Sequence, residues 1–136
     1  MALAYETGDL LTAEVDIFPF ITHKGLVVVD NEIPYVWHNT PVKKNGYGGS
    51  VIKEPLAEWL STRKVTAVEK TNLDKEHIEG MSLSMKEKAF DLLDFNCEHF
   101  VYIIKDNEHK SPQLKFWGTV GLSVISTMLI LQAIKK

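Results

Sequence analysis

The sequence predicts an α+β domain, an antiparallel sheet packed against helices and followed by a C-terminal hydrophobic helix. Three observations predict it. Residues 10–15 and 18–29 are rich in β-branched and aromatic side chains, the composition of strands. Residues 74–85 and 98–105 repeat their apolar side chains at helical spacing, which is the primary signal of an amphipathic helix. Residues 116–134 form a run of nineteen without a formal charge.

Taken in order, 10–15 and 18–29 read as two strands, with Asp16 and Pro19 marking the bend between them. Asp30-Asn31 lies between Val27-Val28-Val29 and Ile33-Pro34-Tyr35-Val36-Trp37. Both residues tolerate the positive φ of tight turns, so 21–38 reads as a hairpin. A two-residue loop at Asp30-Asn31 pairs Val29 with Glu32 and sets His23 directly opposite His38. A four-residue loop moves the partner by two and leaves the histidines diagonal on one face, and a three-residue loop separates them. Pro34 lacks a ladder donor, which leaves the register open. The glycine-rich stretch 45–50 carries no phosphate-binding fingerprint and reads as a loop. Residues 51–53 and 64–70 read as further strands, with a short turn or helix at 55–60. In 74–85, Ile78, Met81 and Met85 form one stripe with acids in the first turn, despite Gly80. Residues 89–95 read as a strand, and a helix follows with Cys97 at its start.

The 136 residues, 45% of them apolar, provide for one domain. Setting aside Lys115, Lys135 and Lys136 leaves 12 Lys and Arg against 18 Asp and Glu before residue 115, a net of −6. Nucleic acid is therefore not expected as a partner, since phosphate binding needs concentrated positive charge. One cysteine excludes an intrachain disulfide, and no C-x-x-C or H-E-x-x-H spacing announces zinc. No metal or cofactor is expected. Met1-Ala-Leu-Ala-Tyr-Glu lacks a basic region followed by an apolar stretch, so no secretory signal is expected.

The uncharged run 116–134 lies between Lys115 and Lys135-Lys136. At ~1.5 Å per residue it would cross the ~30 Å of a bilayer core. The expectation is a domain over 1–114 and a single-pass anchor over 115–136, with the domain facing the cytoplasm. The competing reading is a helix packed on the domain or lying in the interface, since Thr119, Ser123, Ser126 and Thr127 dilute the run.

The chemistry centres on Cys97. Cysteine reacts as the thiolate, which a helix N-terminus and a nearby imidazole stabilise, moving the thiol from about 8.5 towards or below neutrality. The His23/His38 pair on the early hairpin is the natural candidate for its base, one histidine taking the proton while the other orients and polarises it. A lone cysteine is often only a buried apolar residue, but Asn96, Glu98 and His99 form a dense polar cluster around this one. His99 offers a second base, although positions two apart on a helix do not face one another. His77 and His109 lie among charged residues and read as solvated surface groups. Cys97 and His99 lack the further ligands that a metal site needs.

Asn96-Cys97-Glu98-His99-Phe100-Val101 resembles the cysteine motif of the lecithin:retinol acyltransferase-like family, a circularly permuted branch of the NlpC/P60 papain-like hydrolases. Gly8-Asp9-Leu10 followed by Phe20-Ile21-Thr22-His23 resembles that family's opening, and Val36-Trp37-His38 its second histidine. Phe90-Asp91-Leu92-Leu93 resembles the strand before the cysteine, and Ser111-Pro112-Gln113-Leu114 the polar exit from the domain. The resemblance covers almost the whole chain in order. It implies a circularly permuted papain-like fold, with Cys97 as nucleophile, His23 as base and His38 as third member. The implied activity is phospholipid acyl hydrolysis or transfer at a membrane surface through an acyl-cysteine. Its partners would be a phospholipid donor and a water, amine or alcohol acceptor, with the C-terminal helix as anchor. The interval from His23 to His38 is longer than in the phospholipid enzymes resembled, and Lys24 stands where an aromatic often follows the first histidine. Alternatives are a cysteine peptidase or amidase of the NlpC/P60 type, and a membrane-tethered interaction module with a degenerate site.

Overall fold

The computed structural model describes residues 4–15, 18–41, 49–117 and 129–134. Five strands, β1 (Leu10–Val15), β2 (Phe18–Asp30), β3 (Ile33–Asn39), β4 (Val51–Pro55) and β5 (Arg63–Glu69), form one antiparallel sheet in the order β4-β3-β2-β1-β5. Helices α1 (Leu56–Leu60), α2 (Lys75–Ser84), α3 (Cys97–Asp106) and α4 (Pro112–Trp117) accompany the sheet. The α+β class is as the sequence pattern requires.

Both faces of the sheet are covered, which is why Leu26-Val27-Val28 is apolar without a break. Leu10, Leu26, Val28 and Trp37 pack with Ile78 of α2 and Phe100, Val101 and Ile104 of α3. On the opposite face, Leu11, Ala13, Val27 and Val36 pack with Leu56 and Trp59 of α1. Successive strand side chains alternate between faces, so one continuous run supplies both cores. Asp74 caps α2 by accepting from the His77 N–H at 2.8 Å, and the stripe buries Ile78 with Met81 and Met85 packed beside it. The helix expected over 74–85 is thus present.

The hairpin turn falls one residue later than the sequence suggests. Asn31 and Glu32 both have positive φ, 50° and 67°, and Asp30 pairs with Ile33 rather than lying in the loop. The register becomes Leu26↔Trp37, a shift of two from the one that sets His23 opposite His38. A shift of two leaves every side chain on its own face, so the apolar pattern fits both registers equally. Asp30 gains ion pairs with Lys75 at 3.2 Å and Lys53 at 3.7 Å in the observed one.

Residues 89–95 do not form the expected strand. They turn, closed by single bridges Ser50↔Ala89 and Asp91↔Phe95. The Asp91 carboxylate accepts from the Leu93 and Asp94 N–H groups at 3.0 and 3.1 Å, a local bond that competes with a ladder. Most of the glycine-rich stretch, up to residue 48, lies outside the described residues.

The expected single-pass C-terminal anchor, with its cytoplasm-facing domain, is overturned. Among the described residues no helix is long and apolar enough to cross a membrane. The α4 helix has six residues and so spans only about 9 Å. Residues 129–134 are helical, and 118–128 lie outside the described residues.

Glu32 occupies a left-handed position that costs a non-glycine residue about 1 kcal/mol. Glu32→Gly is expected to raise stability by about that amount in urea unfolding. A loss of stability would contradict the observed turn.

Candidate active site

Asn96 organises the start of α3. Its side-chain oxygen accepts from the Glu98 and His99 N–H groups at 2.9 and 3.0 Å, and its own N–H donates to His99 Nδ1 at 2.9 Å. This is a capping box in which imidazole replaces the usual Glu or Gln. His99 is thereby a structural acceptor, not a second base. Burial, with His109 adding to it, pushes His99 down to about 4, and the His109 ring stacks on it at 4.2 Å. His109, itself held by Asp94, is therefore more than a solvated surface group. His77 is exposed, with its Nε2 2.9 Å from the Ile104 carbonyl.

Glu98 is buried, and its carboxylate accepts from Ser111 Oγ at 2.8 Å and the Gln113 N–H at 2.7 Å. Gln113 in turn pairs with the main chain of Thr22, accepting from its N–H at 2.9 Å and donating to its carbonyl at 3.2 Å. The pairing of β2 with β3 covers Leu26 to Asp30, so this amide occupies an edge of β2 beyond the ladder. The acid of the cysteine motif thus clamps a distant segment beside Cys97.

Cys97 is the first residue of α3, and its Sγ lies 3.9 Å from the Thr22 carbonyl oxygen. The Lys24 N–H also points at the sulfur. The nucleophile candidate is therefore seated against the main chain on both sides of His23. Its protonation differs from the sequence expectation: burial, reinforced by the Glu98 carboxylate, pushes the thiol up to about 12. The Lys24 and Glu98 N–H groups act the other way without prevailing. The resting group is a neutral thiol, because at 7% exposure lost solvation outweighs the helix terminus.

His23 and His38 are both buried and meet edge to face, with His23 Nε2 and His38 Nδ1 2.8 Å apart. They lie diagonally across β2 and β3. Continuing the register puts Gly25 across from His38, where a Cβ would collide with Val36 and touch His38 Cβ. Trp59 of α1 lies against both rings, with centroids 6.1 Å away in each case. Asn39, next to His38, donates to the carbonyls of Phe95 and Asn96 at 2.8 and 3.2 Å. This ties the histidine strand to the loop that delivers Cys97.

Two further charged groups were not singled out by sequence. Glu54 Oε1 is 3.3 Å from His38 Nε2, and Arg63 is 3.8 Å from the same oxygen. The available signal is parity: Ile52 pairs with His38, and a strand continued past Lys53 puts Glu54 on the face of Ile52. The Cys97 N–H opens the helix and has no acceptor among the described residues, so it is available to a developing oxyanion. Among the described residues no group of three or more His, Cys, Asp or Glu is arranged to hold a metal ion. Comparison of the chain with family models, curated proteins and solved structures returns no match.

Because the resting thiol is neutral, iodoacetamide is expected to modify Cys97 at least about tenfold more slowly than a free cysteine at pH 7, with the rate still rising at pH 10. Rapid modification with a plateau near neutrality would contradict the seating described. His99 titrates lower in the folded chain than its ordinary 6.5, so protonation favours unfolding. Its contribution is complete above pH 6.5 and is lost as pH falls through about 4. His99→Gln keeps a capping-box acceptor that does not titrate. The difference in urea midpoint between pH 7 and pH 4.5 should therefore be smaller in that variant than in the parent.

Proposed function

We propose that the protein is a thiol acyl-transfer enzyme that takes an acyl chain from a phospholipid ester onto Cys97 and passes it to water, an amine or an alcohol. The observation that carries this reading is the seating of Cys97 Sγ against the main chain at Thr22 and Lys24, either side of a histidine paired with a second histidine at 2.8 Å. The resemblance of residues 96–101, 8–10, 20–23 and 36–38 to the lecithin:retinol acyltransferase-like family supports the substrate class and a permuted papain-like arrangement.

In this mechanism the neutral thiol loses its proton to His23 as Sγ attacks the ester carbonyl, so no standing thiolate is needed. The Cys97 N–H stabilises the oxyanion. Collapse breaks the C–O bond, and the proton held by His23 goes to the departing alkoxide. The acyl group remains as a thioester on Cys97. An incoming water, amine or alcohol then gives its proton to His23 while attacking the thioester; the C–S bond breaks, His23 returns the proton to Cys97 Sγ, and a fatty acid or an acylated acceptor leaves.

A second reading, a non-catalytic interaction module, draws on the burial that keeps the Cys97 thiol protonated. Intact-mass spectrometry after incubation with phosphatidylcholine vesicles separates the two. The enzyme reading expects an acyl adduct on Cys97 and release of lysolipid, with Cys97→Ala and His23→Asn each lowering turnover by at least about 10³-fold. Neither adduct nor lysolipid from the parent chain would refute the phospholipid reading.

A further inference from the structure

We infer that Lys24 is a specificity-determining residue whose ammonium takes the phosphate of the phospholipid while the ester lies against Cys97. The phosphate assignment rests on the acyl-transfer reading, whereas an anion-accepting group beside the sulfur does not.

Side chains of β2 alternate between the two cores, with Leu26 packed towards α3 and His23 against Trp59. Lys24, two residues before Leu26, therefore shares the sheet face on which α3 and Cys97 lie. Its main-chain N–H points at the sulfur, so its flexible stem starts beside the reacting atom. The ammonium donates to Thr12 Oγ1 at 2.6 Å, and Thr12 is the cross-strand partner of Lys24 on β1.

What this ammonium lacks is a carboxylate. Among the described residues the other half-buried lysines each hold one: Lys53 with Glu79 at 2.7 Å, Lys75 with Asp30 at 3.2 Å, Lys105 with Glu69 at 3.1 Å and Lys110 with Glu108 at 3.2 Å. Lys24 is half-buried as well, with a neutral hydroxyl in that place. Glu14, across from Thr22 and diagonal to Lys24 on the same face, makes no ion pair with it among the described residues. An ammonium has three donors, of which Thr12 occupies one, and a partly desolvated cation without a counter-charge favours an incoming anion. Lysine binds phosphate in this way, as a point charge. The Glu98 carboxylate acts against an anion, but it is tied to Ser111 Oγ and to the N–H of Gln113, whose side chain sits on Thr22. Charge is thus graded along β2, negative at the Thr22 end and positive at Lys24. A phospholipid, whose phosphate lies a few bonds from its ester, fits that gradient with its headgroup at Lys24.

Turnover of a short-chain phosphatidylcholine and of the diacylglycerol with the same acyl chains, both as dissolved monomers, separates recognition of phosphate from attack on an ester. In Lys24→Gln and Lys24→Met the ratio of kcat/KM for phospholipid to that for diacylglycerol should fall at least about tenfold, as for a lost hydrogen bond to a charged group. Met keeps the apolar stem should Gln disturb the strand. Lys24→Arg, which keeps the charge, should hold the ratio within about threefold of the parent. Equal losses on both substrates in the neutral variants would mean a structural role and overturn the inference. A second readout needs no lipid. Iodoacetate and iodoacetamide alkylate the same thiolate, so their rate ratio at Cys97 cancels its ionisation and reads the local charge. That ratio should fall at least about threefold in the neutral variants, and an unchanged ratio in either folded variant would equally overturn the inference. A parent chain that turns over neither lipid, with the alkylation ratio still dependent on Lys24, would remove the proposed function and leave the anion site standing. Turnover of both lipids with ratios indifferent to Lys24 would do the reverse.

Discussion

Asn96 fixes two things at once: where α3 begins and where the Cys97 sulfur points. Its side chain accepts from two N–H groups of the first turn and donates to Leu92 and Ser111, while its main chain accepts from and donates to opposite ends of the site through Asn39 and His99. A side-chain cap contributes about 1 kcal/mol, but here it also joins β3, the loop before α3 and the segment at Ser111. Glu98 and Gln113 extend that junction to the edge of β2. The site is therefore a meeting of four chain segments, each held by main-chain bonds rather than by the reactive groups themselves.

That construction has an electrostatic consequence. Raising the thiol from 9.0 to about 12 corresponds to about 4 kcal/mol against the anion. A helix terminus returns about 0.3–1 kcal/mol in most settings, so burial wins. A nucleophile in such a place depends on proton removal during attack.

The hairpin register shows how little separates two arrangements of the same residues. Both registers keep Leu26 and Val28 on one face and His23 and Val27 on the other, since they differ by a full side-chain period. Only the observed one frees Asp30 for Lys75 and Lys53 and places Gly25 across from His38. The diagonal offset of the histidines is what allows ring nitrogens to meet at 2.8 Å edge to face.

Much of the fold was legible because it depends on local pattern. The strand-forming runs, the stripe Ile78, Met81 and Met85, and Asn96 ahead of an apolar helix all declare themselves in order along the chain. Asp91 misled because its side chain bonds neighbouring N–H groups, a choice that composition does not reveal. The uncharged tail misled because length and hydropathy describe what a segment is able to do, whereas its described parts are short helical pieces. By itself the sequence determined the α+β class, the alternation that buries both sheet faces, and the identity of Cys97, His23 and His38 as the residues to watch. Only tertiary structure decided that Glu54 and Arg63 stand behind His38, that His99 is a cap, and that the thiol is buried. The physical reason is that these outcomes depend on distances between strands and on lost solvation, quantities that come into being when separate segments pack.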